Sequence, residues 1–273
     1  MAKDVVPELM KSIEKAFEIH TANDKTLARV SKRIRDGTAT QEDGHVYAIR
    51  IGKDSSRALR DVLTEQNLPD GKLYYNIATR TVIPTLENNQ ALVNEAAAQI
   101  QKTADAKKKI SLNAVKPDFP KDRIAGLIDK MTADDIELED ALIWIDEPII
   151  NNSEAFYDDF VRENAEFRSG AGMKTTITRI AESNCCKWCA DLEGSWEYGS
   201  QPDEVFARHE FCRCSVTFQS ERTSQNVWSK KSWQSTPEEI SRRKSTERKT
   251  MSIAERQQAL ERLMIDKEKA KRR

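Results

Sequence analysis

Glycine, histidine and long apolar stretches are all scarce in this 273-residue chain. Its nine glycines disfavour a turn-dense all-β fold. No apolar run approaches the roughly 18 residues that a membrane-spanning helix needs. The first residues lack the charged, apolar and small-residue pattern of a signal peptide, so we expect synthesis in a reducing cytosol, where clustered cysteines favour metal binding over disulfides.

Motifs of the common enzyme classes are absent as well. The sequence contains no GxxxxGKS/T, no GxGxxG after a strand and no GxSxG. His20 and His45 have no partners at metal-ligand spacing, and we interpret them as surface or core residues. We therefore expect that the chain is not an enzyme.

Charge is distributed unevenly along the chain. The net charge is −1, but the segment 241–273 carries twelve Lys and Arg against five Asp and Glu, which is +7. A basic tail on an acidic body can bind nucleic acid or an acidic protein surface, although the tail lacks aromatic residues that stack on bases. The simpler interpretation is a solvated charged helix.

Apolar spacing predicts an α+β fold that is mostly helical. We expect a helical domain over 1–170, a small β-rich, zinc-stapled module over 171–220, and a polar linker with a basic helical tail over 221–273. In the module, Lys174 to Ile180 alternates as a strand does, and Ser215 to Phe218 predicts a returning strand.

Within the helical domain, several local signals set helix boundaries. Thr40 to Asp43 predicts an N-terminal cap, and Gly37 predicts a helix end. We expect a short helix over Leu138 to Ile145 and a new helix capped by Ser153. The buried face of that new helix is expected to comprise Phe156, Tyr157, Phe160, Val161 and Phe167.

All five cysteines lie within one 30-residue window, together with the third histidine. Cys186 and Cys189 form a C-x2-C pair, in which a tight turn aims two thiols at one point. Cys185 could replace Cys186 with one more residue of spacing. On the other side His209, Cys212 and Cys214 compete for two places, so both a His209–Cys212 site and a four-cysteine site stay open.

This spacing predicts a structural Zn²⁺ site, because enough soft ligands are present to close the coordination shell. Metal binding would then contribute folding free energy to a module with little apolar mass. Arg208 and Arg213 flank the expected ligands, and we expect them to make the module surface locally positive.

The segment from Ile177 to Phe218 resembles the C-terminal module of tailed-phage minor head proteins, the head morphogenesis proteins similar to protein F of phage Mu. Its Glu210 departs from the pattern, because many relatives have proline after the histidine. The residues that carry the resemblance are Cys186, Lys187, Trp188, Cys189, Leu192, Gly194, Tyr198, Val205, Phe206, Arg208, His209, Cys212, Arg213, Cys214, Val216 and Phe218.

The resemblance implies a minor capsid protein that acts with the portal, the scaffold or the major capsid protein during head assembly. It further implies synthesis in the cytoplasm of a bacterial host and a location in the virion, inside the head or at the portal. There the protein would contact packaged DNA or be ejected together with it.

Two other interpretations remain open at this point. One is a zinc-dependent nucleic-acid-binding or nuclease module, against which the absence of a second histidine in the module counts. The other is a secreted, disulfide-linked protein.

Overall fold

Helices form most of the chain that the computed structural model describes, which is residues 4–133 and 136–221. The predicted fold class, α+β and mostly helical, is confirmed. None of the described helices combines the length and apolarity needed to cross a bilayer. The predicted basic tail lies outside the described residues. The helices are α1 Val6–Asn23, α2 Lys25–Arg35, α3 Gln41–Val62, α4 Tyr75–Lys107, α5 Lys121–Met131, α6 Leu138–Gly170 and α7 Lys187–Asp191; the strands are β1 Lys174–Ile180, β2 Gly194–Glu197 and β3 Ser215–Glu221.

The start of α3 follows the sequence prediction. Thr40 and Asp43 form a capping box, in which the Thr40 backbone N–H donates to Asp43 Oδ2 at 2.7 Å. The Asp43 backbone N–H donates in return to Thr40 Oγ1 at 3.4 Å. Gly37 follows α2 with a φ of +68°, a conformation that glycine adopts without steric cost.

The prediction of two helices between Leu138 and Gly170 is wrong, because α6 runs through both without a break. Ser153 caps nothing. It is fully buried inside α6, and its Oγ donates to the Ile149 carbonyl oxygen at 2.9 Å. The helix also continues through Pro148. Its apolar face packs against the rest of the bundle on both sides of the proline, and this packing outweighs the local signals for a boundary.

Four of the five apolar residues predicted to be buried on α6 are buried, and Phe167 is the exception at 44% exposure. At that end of the helix the inward side chains are Ala165 and Arg168. Arg168 donates to Asp105 of α4 at 2.8 Å, and its guanidinium lies over the Phe218 ring. A buried ion pair therefore occupies the position where an aromatic residue was expected.

Helices α3 and α6 pack closely along each other, and Gly52 permits the approach. A Cβ atom at this position would lie 2.8 Å from Ile150 Cα and 3.0 Å from Ser153 Oγ. Both distances are too short for ordinary contact, and the first of these atoms is backbone, which cannot rotate away. The glycine thus sets the distance between the two central helices.

The three strands form an antiparallel sheet in the order β2-β1-β3, with Ile177 opposite Phe218 and opposite Trp196. Strand β2 was not predicted. Ile177, Val216 and Phe218 point inward and belong to the same hydrophobic core as the helices. The sheet is therefore supported by burial against the helical body, in addition to any metal. The domain limits at 170 and 220 stay predictions.

Candidate metal centre

The first half of the cysteine cluster is a short knuckle at the start of α7. Cys186 precedes the helix and caps it, because its Sγ accepts the Cys189 backbone N–H at 3.5 Å. A helical turn between positions 186 and 189 brings both thiols to the same side. Cys189 is buried, whereas Cys186 is exposed at the protein surface.

The second half is a tight turn that contains His209. The Cys212 backbone N–H donates to the His209 carbonyl oxygen at 3.1 Å, and Phe211 adopts a φ of +59° within the turn. His209 Nδ1 lies 2.6 Å from the Glu210 carbonyl oxygen, which can only accept a hydrogen bond. Nδ1 therefore carries the proton, and the lone pair of Nε2 is free to bind a metal.

The two halves meet so that their donor atoms converge. His209 Nε2 lies 3.2 Å from Cys186 Sγ and 3.1 Å from Cys189 Sγ. Cys189 Sγ lies 3.7 Å from Cys212 Sγ, close to the roughly 3.8 Å expected for two sulfurs on one tetrahedral zinc with bonds of about 2.3 Å. The cluster thus has the donor types and spacing to hold a metal ion.

All five ligands predicted from the sequence lie in this cluster. They form two groups of three that share Cys189, and within each group the donor atoms lie within 4.8 Å of one another. Cys185, the possible substitute for Cys186, belongs to neither group and packs at the edge of the cluster. The groups are Cys186, Cys189 and His209, and Cys189, Cys212 and Cys214.

The environment shifts the pKa of the two knuckle thiols in opposite directions. Burial, together with the neighbouring thiols Cys214 and Cys212 and against the effect of Arg179, raises the pKa of the Cys189 thiol to about 12. The backbone N–H of Cys189 lowers the pKa of Cys186. A divalent ion would therefore have to displace a proton from Cys189, which makes binding tighter as pH rises.

Arg179 of β1 is a site residue that the sequence analysis missed. Its side chain is buried, and Nη2 lies 3.7 Å from Cys189 Sγ and 3.8 Å from Cys212 Sγ. Nη1 donates to the carbonyl oxygens of Val205 and Ala207. Strand alternation could have revealed it, because position 179 lies on the inward face with Ile177.

The prediction that Arg208 and Arg213 make the module surface positive is wrong. Both side chains point into the protein toward a row of carboxylates on α6. Arg208 makes a bidentate contact with Asp158, and Arg213 Nη1 lies 2.7 Å from Glu147 Oε1. Their charges are neutralised inside the protein, because a bare guanidinium could not be buried at acceptable cost.

Glu154 joins the two arginines. Its Oε2 lies 3.0 Å from Arg213 Nη1, and its Oε1 lies 3.5 Å from Arg208 Nη1 and 3.2 Å from His45 Nε2. Burial alone would lower the pKa of Arg208, but the carboxylates of Asp158 and Glu154 raise it well above its usual value. The loop that carries His209 and Cys212 is thus held on α6 by ion pairs.

Comparisons with protein families, with curated proteins and with solved structures found no match for this chain.

Proposed function

We propose that the cluster binds one structural Zn²⁺ through Cys186, Cys189, His209 and Cys212. The observation that carries this ligand set is the convergence on Cys189. His209 Nε2 contacts the sulfurs of both Cys189 and Cys186. The Arg179 guanidinium contacts the sulfurs of both Cys189 and Cys212. One ion at this point completes a tetrahedron from the two local turns.

Charge balance supports the same choice. Within the described residues Arg179 has no carboxylate partner, so its buried positive charge needs a thiolate nearby. Zn²⁺ with three thiolates and a neutral imidazole carries one negative charge, which Arg179 offsets. A site with four thiolates would carry two negative charges, of which Arg179 would offset only one. Cys214 is then a buried neutral thiol beside the centre.

Spectroscopy of the Co²⁺-substituted protein tests this assignment. We expect Cys214→Ser to keep one bound metal and an unchanged absorption spectrum. Cys212→Ser and His209→Ala should each lose the tetrahedral spectrum or weaken binding at least tenfold. If His209→Ala keeps the spectrum while Cys214→Ser abolishes it, the four-cysteine site is correct instead.

We further propose that the chain is a non-enzymatic structural component of a tailed-phage head, a minor capsid protein that acts with the portal, scaffold or major capsid protein. The resemblance of the segment Ile177 to Phe218 is the basis for this proposal. The geometry of the centre fits such a role, because four protein donors leave no coordination position for a reacting water.

The assembly role predicts that the protein co-purifies with assembled heads or with portal protein. Particles made without it should be defective or poorly infectious. Its absence from purified particles, together with no binding to any head component, would exclude the role. A metal-dependent cleavage assay on duplex DNA, with His209→Ala as control, tests the nuclease alternative. Cleavage that the substitution abolishes would establish that alternative.

A further inference from the structure

A second concave site lies between α2, α3 and α4, on elements that contribute nothing to the metal centre. It encloses a cavity of about 650 Å³, within the range of pockets that hold small organic ligands. Ile34, Leu92 and Ala96 provide the apolar part of the lining, here called the apolar floor, and Tyr47 lines the cavity as well. Neither the cysteine motif nor the resemblance involves these residues.

Three cations from three different elements line this cavity. They are Arg35 at the end of α2, Lys102 on α4 and Lys116 in the loop before α5. Within the part of the chain that the structure describes, none of their side chains forms an ion pair or a hydrogen bond. All three residues are exposed, so what indicates an anionic ligand is their convergence from three elements around one cavity.

Hydroxyl donors accompany the cations. Ser31 and Tyr47 line the same cavity, and their hydroxyl groups have no hydrogen-bond partner among the described residues. Burial, and the charge of Glu95, raise the pKa of Tyr47, so its phenol stays a neutral donor. Glu95 is the one carboxylate among the described lining residues. Because three cations face this single carboxylate, the net charge of the lining is positive.

We propose that this cavity binds a nucleoside phosphate, with the phosphate on Arg35, Lys102 and Lys116 and the base against Tyr47 and the apolar floor. A phosphate dianion matches three cations and two hydroxyl donors better than a single carboxylate does. The cavity is much larger than an inorganic phosphate ion, and the apolar floor provides space for an organic group. The ligand can be a free nucleotide or the phosphorylated end of a strand.

Calorimetric titration of the full chain at 150 mM salt tests the site. The probes are thymidine 5′-monophosphate, thymidine, inorganic phosphate, and an oligothymidylate with and without a 5′-phosphate. We expect the monophosphate to bind at least tenfold more tightly than either thymidine or inorganic phosphate. Lys102→Gln combined with Lys116→Gln should weaken that binding at least tenfold, and Glu95→Gln should strengthen it.

A charge-matched control is Lys11→Gln with Lys15→Gln on α1, which should leave binding unchanged. Tight binding of the oligonucleotide only when it carries a 5′-phosphate supports a strand end as the source, and binding of the mononucleotide alone supports a free nucleotide. Three results would overturn the proposal. The two oligonucleotides could bind equally well, the two double variants could lose the same affinity for the monophosphate, or the monophosphate could bind no more tightly than inorganic phosphate. These results are independent of metal binding and of head assembly.

Discussion

Arg179 and Cys189 lie together in the interior, with Arg179 Nη2 3.7 Å from the Cys189 sulfur. The arginine comes from β1 and the cysteine from α7, so the contact joins the sheet to the knuckle. The same guanidinium lies 5.8 Å from the centre of the ring of Trp188, the residue that precedes Cys189. The position of the knuckle therefore depends on a residue that binds no metal itself.

We predict that Arg179→Gln lowers metal affinity by about 10- to 100-fold, because the substitution removes the charge that favours the Cys189 and Cys212 thiolates. Chelator competition, followed through the Co²⁺ spectrum, measures the change. Arg179→Lys should recover part of the affinity, since it keeps the charge but loses the planar fork. Arg29→Gln on the exposed face of α2 is the control, and an equal loss in that variant would contradict the prediction.

A second prediction concerns the buried ion pairs between the ligand loop and α6. Arg208→Met leaves the Asp158 carboxylate buried without its bidentate partner and removes one of the two arginines near Glu154. We expect a loss of about 3–5 kcal/mol in the free energy of unfolding. The double variant Arg208→Met with Asp158→Leu should lose less than the sum of the two single variants. Denaturant unfolding of the four proteins in this cycle measures the coupling. Additive losses would show that the pair contributes nothing of its own.

The clustering of the candidate metal ligands could be predicted from the sequence, because each half of the cluster is a local turn. The spacing of Cys186 and Cys189 alone determines that their thiols converge. The partners of Arg208 and Arg213 could not be predicted, because Glu147, Glu154 and Asp158 lie 50 or more residues away. Only the path of α6 brings those carboxylates under the loop.

The same reason explains the errors in the helical region. Ser153 is a good cap residue, but it lies on the buried face of a helix that packing extends in both directions. Local signals predicted the capping box at Thr40, where the ion pair of Asp43 with Arg33 leaves both capping hydrogen bonds intact. The order of strands, and the unpredicted β2, depend on pairing across the sheet rather than on local pattern.

A third prediction tests the contact between α3 and α6. Gly52→Ala places a methyl group against the backbone of α6, and we expect a loss of about 1–3 kcal/mol in stability from overpacking. Gly126→Ala on α5 is the matched control, because the added Cβ meets no atom within 4 Å among the described residues beyond its own helical turn. That substitution should stabilise the protein by about 0.5–1 kcal/mol through helix propensity. Thermal and denaturant unfolding measure the change in stability of both variants. If the two substitutions change stability in the same direction, the close approach of α3 and α6 is contradicted.

The last prediction concerns Asp54, whose side chain is fully buried on α3. Burial, with the nearby Asp24 carboxylate, raises the pKa of Asp54 from 3.8 to about 6. Between these two values the folded state binds more protons than the unfolded state, so the contribution of Asp54 to stability is lost as pH rises from about 4 to about 6. Asp54→Asn mimics the protonated acid. We expect it to match the original protein near pH 4 and to exceed its stability at pH 7 by on the order of 2 kcal/mol, since one pKa unit corresponds to about 1.4 kcal/mol.

Asp24→Asn is the contrasting variant, because Asp24 accepts the backbone N–H groups of Thr26 and Leu27 and pairs with Arg50. It should lower stability at pH 7, and denaturant unfolding at both pH values separates the two effects. A pH-independent difference between Asp54→Asn and the original protein would show that Asp54 ionises normally.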